Sequence, residues 1–291
     1  MSPKTIVFLL FLVAALAKSS HLDLQRRAYK DLSPHIIGGS EAPKASYPYI
    51  VSLQYGHIGY DTMHFCAGSI FNSQWIITAA HCLNQIPINN FIVKAGKRNI
   101  KIVESTEQTV EVEQAFVHEK YSTRNFGNDI GLIKLKTPLN FTKEIQPIEL
   151  PQAESEPTGV AYLCGWGYVL SNYFKNLEMP DKLQDIKLYY INRDVCDAAV
   201  TNLTGFSGSV GETNICTGPI TGGISGCNGD SGGPLISRYG EKPVLTGIAS
   251  WIIAPCGTYG SPTVYTKVSK FNAWIKQKIA THTTRLYRYI N

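Results

Sequence analysis

The chain has 291 residues, of which 44% are apolar and 17% charged, with 25 glycines and 15 prolines. At roughly 150 residues per domain that suits two compact units with a sizeable core, and it excludes a disordered or collagen-like chain. The formal charge is +5, but five basic and two acidic residues fall within residues 1–35, and no basic stripe interleaved with aromatics follows, so nucleic-acid binding is not suggested.

The N-terminus reads as an export signal over residues 1–17. Lys4 precedes an apolar run from Ile6 to Leu16, and Ala15-Leu16-Ala17 supplies a small-x-small cleavage pattern. The run is too short to cross a bilayer of about 30 Å as a helix, so no membrane anchor is expected. Export implies an extracellular, oxidising destination. Residues 18–35 are polar and charged and read as a pro-segment. From Ile36 onward short apolar or alternating runs recur between glycines, prolines and asparagines: Tyr49–Tyr55, Trp75–Thr78, Phe91–Ala95, Thr109–Val117, Ile130–Leu135, Gly159–Leu163, Leu183–Ile191, Pro243–Ser250 and Thr263–Val268. This is an all-β signature of the sandwich or barrel type. Pro147, Pro151 and Pro157 suit a linker between two β units of similar size, about 36–150 and 151–268. A short helical turn can follow Asn192. A longer helix is predicted over 269–280, with Ser269 as its cap and Phe271, Trp274, Ile275 and Ile279 on one face. Asn140 and Asn202 head glycan-acceptor triplets.

Seven cysteines are an odd number: Cys66, Cys82, Cys164, Cys196, Cys216, Cys227 and Cys256. In a secreted protein one is left over or pairs between chains. None has the C-x-x-C spacing of a zinc or redox site.

The strongest chemical signal is Gly229-Asp230-Ser231-Gly232-Gly233-Pro234, preceded by Cys227 and Asn228. A serine between glycines can sit on a tight turn with its hydroxyl exposed, where backbone N–H groups converge on the place an anion would occupy. A serine hydroxyl is a weak nucleophile without a base. Thr78-Ala79-Ala80-His81-Cys82, at the end of an apolar strand, offers an imidazole. Asn128-Asp129-Ile130, at the head of another, offers a carboxylate, which is costly there unless partnered. Each signal is moderate alone; together they describe one machine.

With these motifs in hand, the chain resembles the chymotrypsin-family serine peptidases over about Ile36 to Ala280. Ile36-Ile37-Gly38-Gly39, the surroundings of His81, Asp129 and Ser231, Gly165-Trp166-Gly167, Ser250-Trp251 and the final helix all match. The resemblance implies two six-stranded antiparallel β-barrels, a C-terminal helix, and a site in the cleft between the barrels. Ser231 would attack the scissile carbonyl, His81 would take and return the proton, and Asp129 would orient His81. The N–H groups of Gly229 and Ser231 would form the oxyanion hole. The resemblance also implies the disulfides Cys66–Cys82, Cys196–Cys216 and Cys227–Cys256, which leaves Cys164 as a buried free thiol.

Further expectations follow from the resemblance. Cleavage after His35 would free the α-amino group of Ile36, which would fold inward to pair with Asp230, so the full chain would be a zymogen. His35 stands where relatives carry Arg or Lys, which leaves the activating protease open. Ser225 would form the base of the specificity pocket, beside Gly226 and Asn228, with Ser250, Trp251, Ile252 and Thr263 along its wall and Phe126 at the neighbouring subsite. An uncharged base and two branched walls suit small aliphatic residues before the scissile bond, an elastase-like preference. The alternatives are chymotrypsin-like cleavage after large apolar or aromatic residues, and a non-catalytic binding homologue. Some relatives bind calcium in a loop matching Gly96-Lys97-Arg98-Asn99-Ile100 with Glu104 and Glu107. Lys97 opposes a cation there, so neither metal nor other cofactor is expected. The expected partners are protein or peptide substrates, an activating protease and protein inhibitors, around a monomer.

Overall fold

The computed structural model describes residues 38–84, 86–170 and 177–288. The expected export signal, the pro-segment and the His35–Ile36 junction lie outside the described residues. In chain order the strands and helices are β1 (Ser40–Glu41), β2 (Ile50–Tyr55), β3 (Met63–Asn72), β4 (Trp75–Thr78), α1 (Ala80–Leu83), β5 (Phe91–Ala95), β6 (Gln108–Val117), β7 (Gly131–Leu135), β8 (Val160–Gly165), β9 (Val169–Leu170), β10 (Leu177–Glu178), β11 (Gln184–Ile191), α2 (Arg193–Thr204), β12 (Asn214–Gly218), β13 (Pro234–Tyr239), β14 (Lys242–Ile252), β15 (Thr263–Lys267) and α3 (Asn272–Arg288).

Two antiparallel barrels result. The first closes in the order β2-β3-β4-β7-β6-β5. The second runs β11-β12-β15-β14-β13-β8, closes through the pairing of β8 with β11, and carries β1 on β11. Alternation drives the pairing where one face is wet: in β6 Val110 and Val112 are buried while Glu111 and Glu113 face water. Where a strand is buried on both faces the alternation is lost, as in β7 and β12. One continuous apolar cluster joins Leu53 and Ile77 of the first barrel to Trp166, Ile236 and Ile248 of the second, and α3 adds Ile275 to it. The barrels are therefore packed on each other.

Six of the fifteen described strands escape the sequence pattern: the two-residue β1, β9 and β10, and the longer β3, β12 and β13. The ten residues of β3 include Gly68, whose hydrogen leaves room that a side chain would take from Ile76 and the Ile77 carbonyl. The short, partly polar β12 is wholly buried, and β13 begins on Pro234 directly after the glycine-rich motif. The Asn192 side chain accepts from Asp194 N and caps a full twelve-residue α2. Ser269 does not cap the last helix. It lies in a 3-10 turn over Val268–Lys270, and its hydroxyl donates to the Ser155 carbonyl; α3 starts at Asn272. The expected apolar face does pack inward: Phe271 and Ile275 are buried, and Trp274 and Ile279 lie against the same core.

The three disulfides are Cys66–Cys82, Cys196–Cys216 and Cys227–Cys256, and Cys164 is free and buried.

Candidate active site

The first half of the site is set by strand register. Thr78 of β4 pairs with Gly131 of β7. His81 lies three residues beyond Thr78 and Asp129 two before Gly131, so antiparallel pairing delivers both off the same end of the ladder. His81 Nδ1 donates to Asp129 Oδ2 at 2.7 Å, and its backbone N–H donates to Oδ1 at 2.9 Å. Asp129 is fully buried, and Ser250 Oγ donates to Oδ2 at 2.5 Å. The register of β14 against β15 shifts between Ala249 and Trp251, and this bulge aims Ser250 at the carboxylate rather than along the ladder. Because Nδ1 donates to an acceptor-only carboxylate, Nε2 is left as the basic nitrogen. The Phe126 ring stands edge-on to His81 at 6.2 Å, with its backbone in the left-handed region (φ 51°). For a bulky residue that is a strained conformation, here at the rim of the site.

The second half is the loop from Ser225 to Gly233. Its backbone bonds leave two donors over. Tyr168 N–H donates to the Asn228 carbonyl, Asp230 N–H to Cys227, Gly232 N–H to Ala249 and Gly233 N–H to Asp230. The N–H groups of Gly229 and Ser231 have no acceptor among the described residues. In a trans peptide C=O and N–H point opposite ways. Holding the Asn228 carbonyl at Tyr168 therefore turns the Gly229 N–H away from it. Glycine is required at this turn: Gly229 has φ 98°, and Gly232 has φ 77° with the space for a Cβ already taken by Thr78 Oγ1. Ala67 N–H donates to the Ser231 carbonyl at 2.8 Å and ties the Ser231 backbone to β3 of the other barrel. Among the described residues no hydrogen bond joins Ser231 Oγ to His81, whose Nε2 has Cys82 Sγ at 3.7 Å. Such contacts are often long without substrate and tighten when it binds.

A buried polar chain, missed in the sequence, holds the Gly229 peptide from behind. Gln54 donates to Ser52 Oγ, Ser52 Oγ donates to His64 Nδ1 at 2.7 Å, and His64 Nε2 donates to the Gly229 carbonyl at 2.9 Å. The directions follow from the last acceptor, since a carbonyl can only accept. Burial pushes the His64 pKa down to about 4, so the ring is neutral near pH 7 and this tautomer is kept.

Asp230 points away from the cleft. Its Oδ1 accepts from Gly167 N–H at 2.8 Å and its Oδ2 from Cys227 N–H at 2.9 Å. A Cβ at either Gly165 or Gly167 would overlap this carboxylate, which explains the Gly-Trp-Gly motif physically. Burial pushes the Asp230 carboxyl up to about 6 despite the two backbone donors, and no cation faces it among the described residues. The first described residue, Gly38, lies against Ile224, just before this loop.

The expected pocket residues also meet. Ser225 and Thr263 are buried, Ser225 Oγ donates to the Gly226 carbonyl, and Gly226 N–H donates to Thr263 Oγ1 at 3.3 Å. Ile252 and Thr263 are direct cross-strand partners on β14 and β15. Trp251 is half-buried and Asn228 exposed.

In the loop matching the family's calcium segment, Lys97 is itself the central cation. Its buried ammonium donates to the Ile102 carbonyl at 2.7 Å and to Glu107 at 2.6 Å, while Glu104 accepts from Arg98 N–H and Asn99 N–H. The ligand atoms of Cys66, His81 and Cys82 also cluster, but both sulfurs are committed to a disulfide.

The trypsin family model matches residues 36–275. The chain belongs to the trypsin family. It is 37% identical to rat serine protease 1 over 245 residues, covering 84% of this chain and 90% of that protein. It is 37% identical to chicken trypsin II-P29 over 247 residues (85% and 90%) and 36% identical to bovine anionic trypsin over 245 (84% and 90%). As a trypsin-family serine endopeptidase it is a hydrolase acting on protein substrates. The finer roles of His81, Asp129, Ser231 and the pocket residues rest on the geometry of the cleft. Ser250, read from sequence only as a pocket residue, also buttresses Asp129. Among the described residues no helix is long and apolar enough to cross a membrane.

Proposed function

We propose that this trypsin-family chain is the secreted, monomeric precursor of an endopeptidase that is activated at His35–Ile36 and cuts after small aliphatic residues. Residues 1–17 would be removed on export and 18–35 by an activating protease. In the processed enzyme Ser231 attacks the scissile carbonyl while His81 Nε2 removes its proton. Asp129, held by His81 and Ser250, stabilises the imidazolium that forms. The unspent N–H groups of Gly229 and Ser231 take the oxyanion; losing one such donor typically costs 10²–10³ in rate. His81 then protonates the leaving amine, and water releases the acyl group by the same steps in reverse.

The observation that carries the specificity is the pairing of Ile252 opposite Thr263 above an uncharged Ser225. A ring entering between two β-branched side chains meets methyl groups that cannot withdraw, and an arginine or lysine finds no carboxylate. Alanine and valine fit. Activation is supported by Asp230, whose buried carboxyl meets no cation among the described residues, and by Gly38, which lies against Ile224 just before the Ser225–Gly233 loop. The new α-amino group of Ile36 would complete that pair and hold the Gly229 loop in place. Protein inhibitors would enter the same cleft. A panel of p-nitroanilides with Ala, Val, Phe, Tyr or Arg before the scissile bond tests the pocket. Ala or Val should be turned over best, and replacing Ile252 and Thr263 together by Gly should raise Phe turnover by about a hundredfold. Best turnover of Arg, or of Phe by the unaltered enzyme, would refute the pocket assignment.

A further inference from the structure

We propose that Asn140 and Asn202 carry N-linked oligosaccharides, and that the one on Asn202 covers an exposed apolar patch at the end of α2. This rests on the export proposed above, which brings the chain to a compartment where such glycans are added. The two asparagines share what the modification needs. Each is exposed, and each has a hydroxyl residue two positions on, Thr142 and Thr204, with no proline between. Neither side-chain amide has a hydrogen-bond partner among the described residues. Asn72, Asn99, Asn125 and Asn192 differ, since each spends its Oδ1 on a backbone N–H two residues ahead.

At Asn140 the backbone is pinned and the side chain left free. Gln108, the first residue of β6, donates from Nε2 to the Asn140 carbonyl at 2.8 Å and accepts at Oε1 from its N–H at 2.9 Å. Asn202 lies in the last turn of α2. Cys196 and Val200 turn the other side of this helix into the core, and at 3.6 residues per turn a position two beyond Val200 faces away from it. A bulky group attached there meets water, not the barrel.

The surroundings of Asn202 call for a hydrophilic cover. No charged residue falls between Asp197 and Glu212. Within that stretch Leu203 is 41% and Phe206 73% exposed, and Tyr259 of the neighbouring loop is 77% exposed. Leu203 reaches that loop: its two terminal methyls lie 3.6 Å from the position a Cβ would take on Gly260. Phe206 is tied to the helix end, its N–H donating to Thr204 Oγ1 at 3.2 Å and its carbonyl accepting from Thr201 Oγ1 at 3.3 Å. An exposed apolar group without charge favours association unless something hydrophilic lies over it. The acceptor asparagine stands directly before Leu203, which favours a glycan as the cover over a second copy of the chain.

Transfer draws on an oligosaccharide carried on a polyprenyl diphosphate. The asparagine Nδ2 forms a bond to C1 of the first sugar, the bond between C1 and the diphosphate oxygen breaks, the electron pair leaves with the diphosphate, and one Nδ2 proton is released. The sugar is added before the chain folds, so the helical setting of Asn202 in the folded protein does not bar it.

The test expresses the full chain in a eukaryotic secretory host and collects it from the medium. Digestion with peptide N-glycosidase in heavy-oxygen water, followed by peptide mass spectrometry, should place the label at positions 140 and 202. Asn140→Gln and Asn202→Gln should each remove one glycan-sized step from the gel shift, while Thr204→Ser, which keeps the hydroxyl, should leave both. Asn202→Gln should raise the aggregated fraction on size exclusion several-fold over wild type, and Asn140→Gln should raise it less. If Asn202→Gln is not secreted in folded form, native deglycosylation of the folded wild-type protein should raise that fraction in its place. An unlabelled Asn140 or Asn202 in the exported protein overturns the assignment at that position. A deglycosylated protein as soluble as the glycosylated one overturns the covering role. A chain retained in the cell with residues 1–17 still attached would remove the export reading, and this inference with it.

Discussion

Asp129 and Asp230 are both buried carboxylates a short way from Ser231, and the protein around them treats them differently. Asp129 receives three hydrogen bonds, from the backbone N–H and Nδ1 of His81 and from Ser250 Oγ. Asp230 receives two backbone N–H donors and, among the described residues, no cation; burial dominates and its carboxyl is pushed up to about 6. A third acid sharpens the contrast. Burial raises the Glu107 carboxyl too, but hydrogen bonds from Lys97 and Thr109 outweigh it and hold it below its usual value. Two of the three acids are completed by the fold itself. The third is left for a charge that the described chain does not contain, and that makes it the natural place for a cleavage-made amine to act.

Removing the completed acid should cost most. Asp129→Asn should lower kcat about 10⁴-fold in the processed enzyme with the circular-dichroism spectrum unchanged, because the amide cannot hold the Nδ1–H tautomer. A loss under tenfold would break the comparison by making Asp129 merely structural.

The incomplete acid should show itself as a pH-dependent stability gap. The folded Asp230 pKa of about 6 lies above the unfolded 3.8. Its contribution is therefore fully present below pH 3.8 and lost as pH rises through 6, a cost of about 3 kcal/mol to the unprocessed chain at pH 7.5. Processing should remove that cost, so calorimetry should find the processed form gaining stability over the precursor between pH 4.5 and 7.5. A gap of equal size at both pH values would contradict the pairing. Breaking the internal pair should have a similar size without the pH window: Lys97→Met leaves Glu107 buried with Lys94 as its remaining ion-pair partner among the described residues and should lower stability by about 3 kcal/mol. Chelator should change the stability of neither protein. The smallest effect should come from Ser250→Ala, which removes one of three donors to Asp129. kcat should fall about tenfold with KM nearly unchanged.

The pairing of His81 with Asp129, the three disulfides and most of the strands were legible because each is marked locally, by a motif, by a cysteine or by an alternating run. What escaped depends on register or on distant chain. Nothing in Ala249-Ser250-Trp251 announces that a bulge turns Ser250 onto Asp129, since a bulge is a relation between two strands. His64 reads as an ordinary strand residue until the fold sets it against a carbonyl 165 positions away. Ser269 has the right side chain for a cap, but the Ser155 carbonyl, brought in by tertiary packing, takes its hydroxyl first. In β12, Asn-Ile-Cys-Thr-Gly shows no alternation because both of its faces are covered.

A fluorophosphonate probe measures directly whether cleavage switches on a nucleophile at Ser231. The full-length chain should label slowly or not at all. The same protein cut at His35–Ile36 should label stoichiometrically at Ser231, and His81→Ala should abolish that labelling. Equal labelling before and after the cut would contradict the activation scheme, and a folded, processed protein that never labels at Ser231 would contradict the catalytic assignment itself.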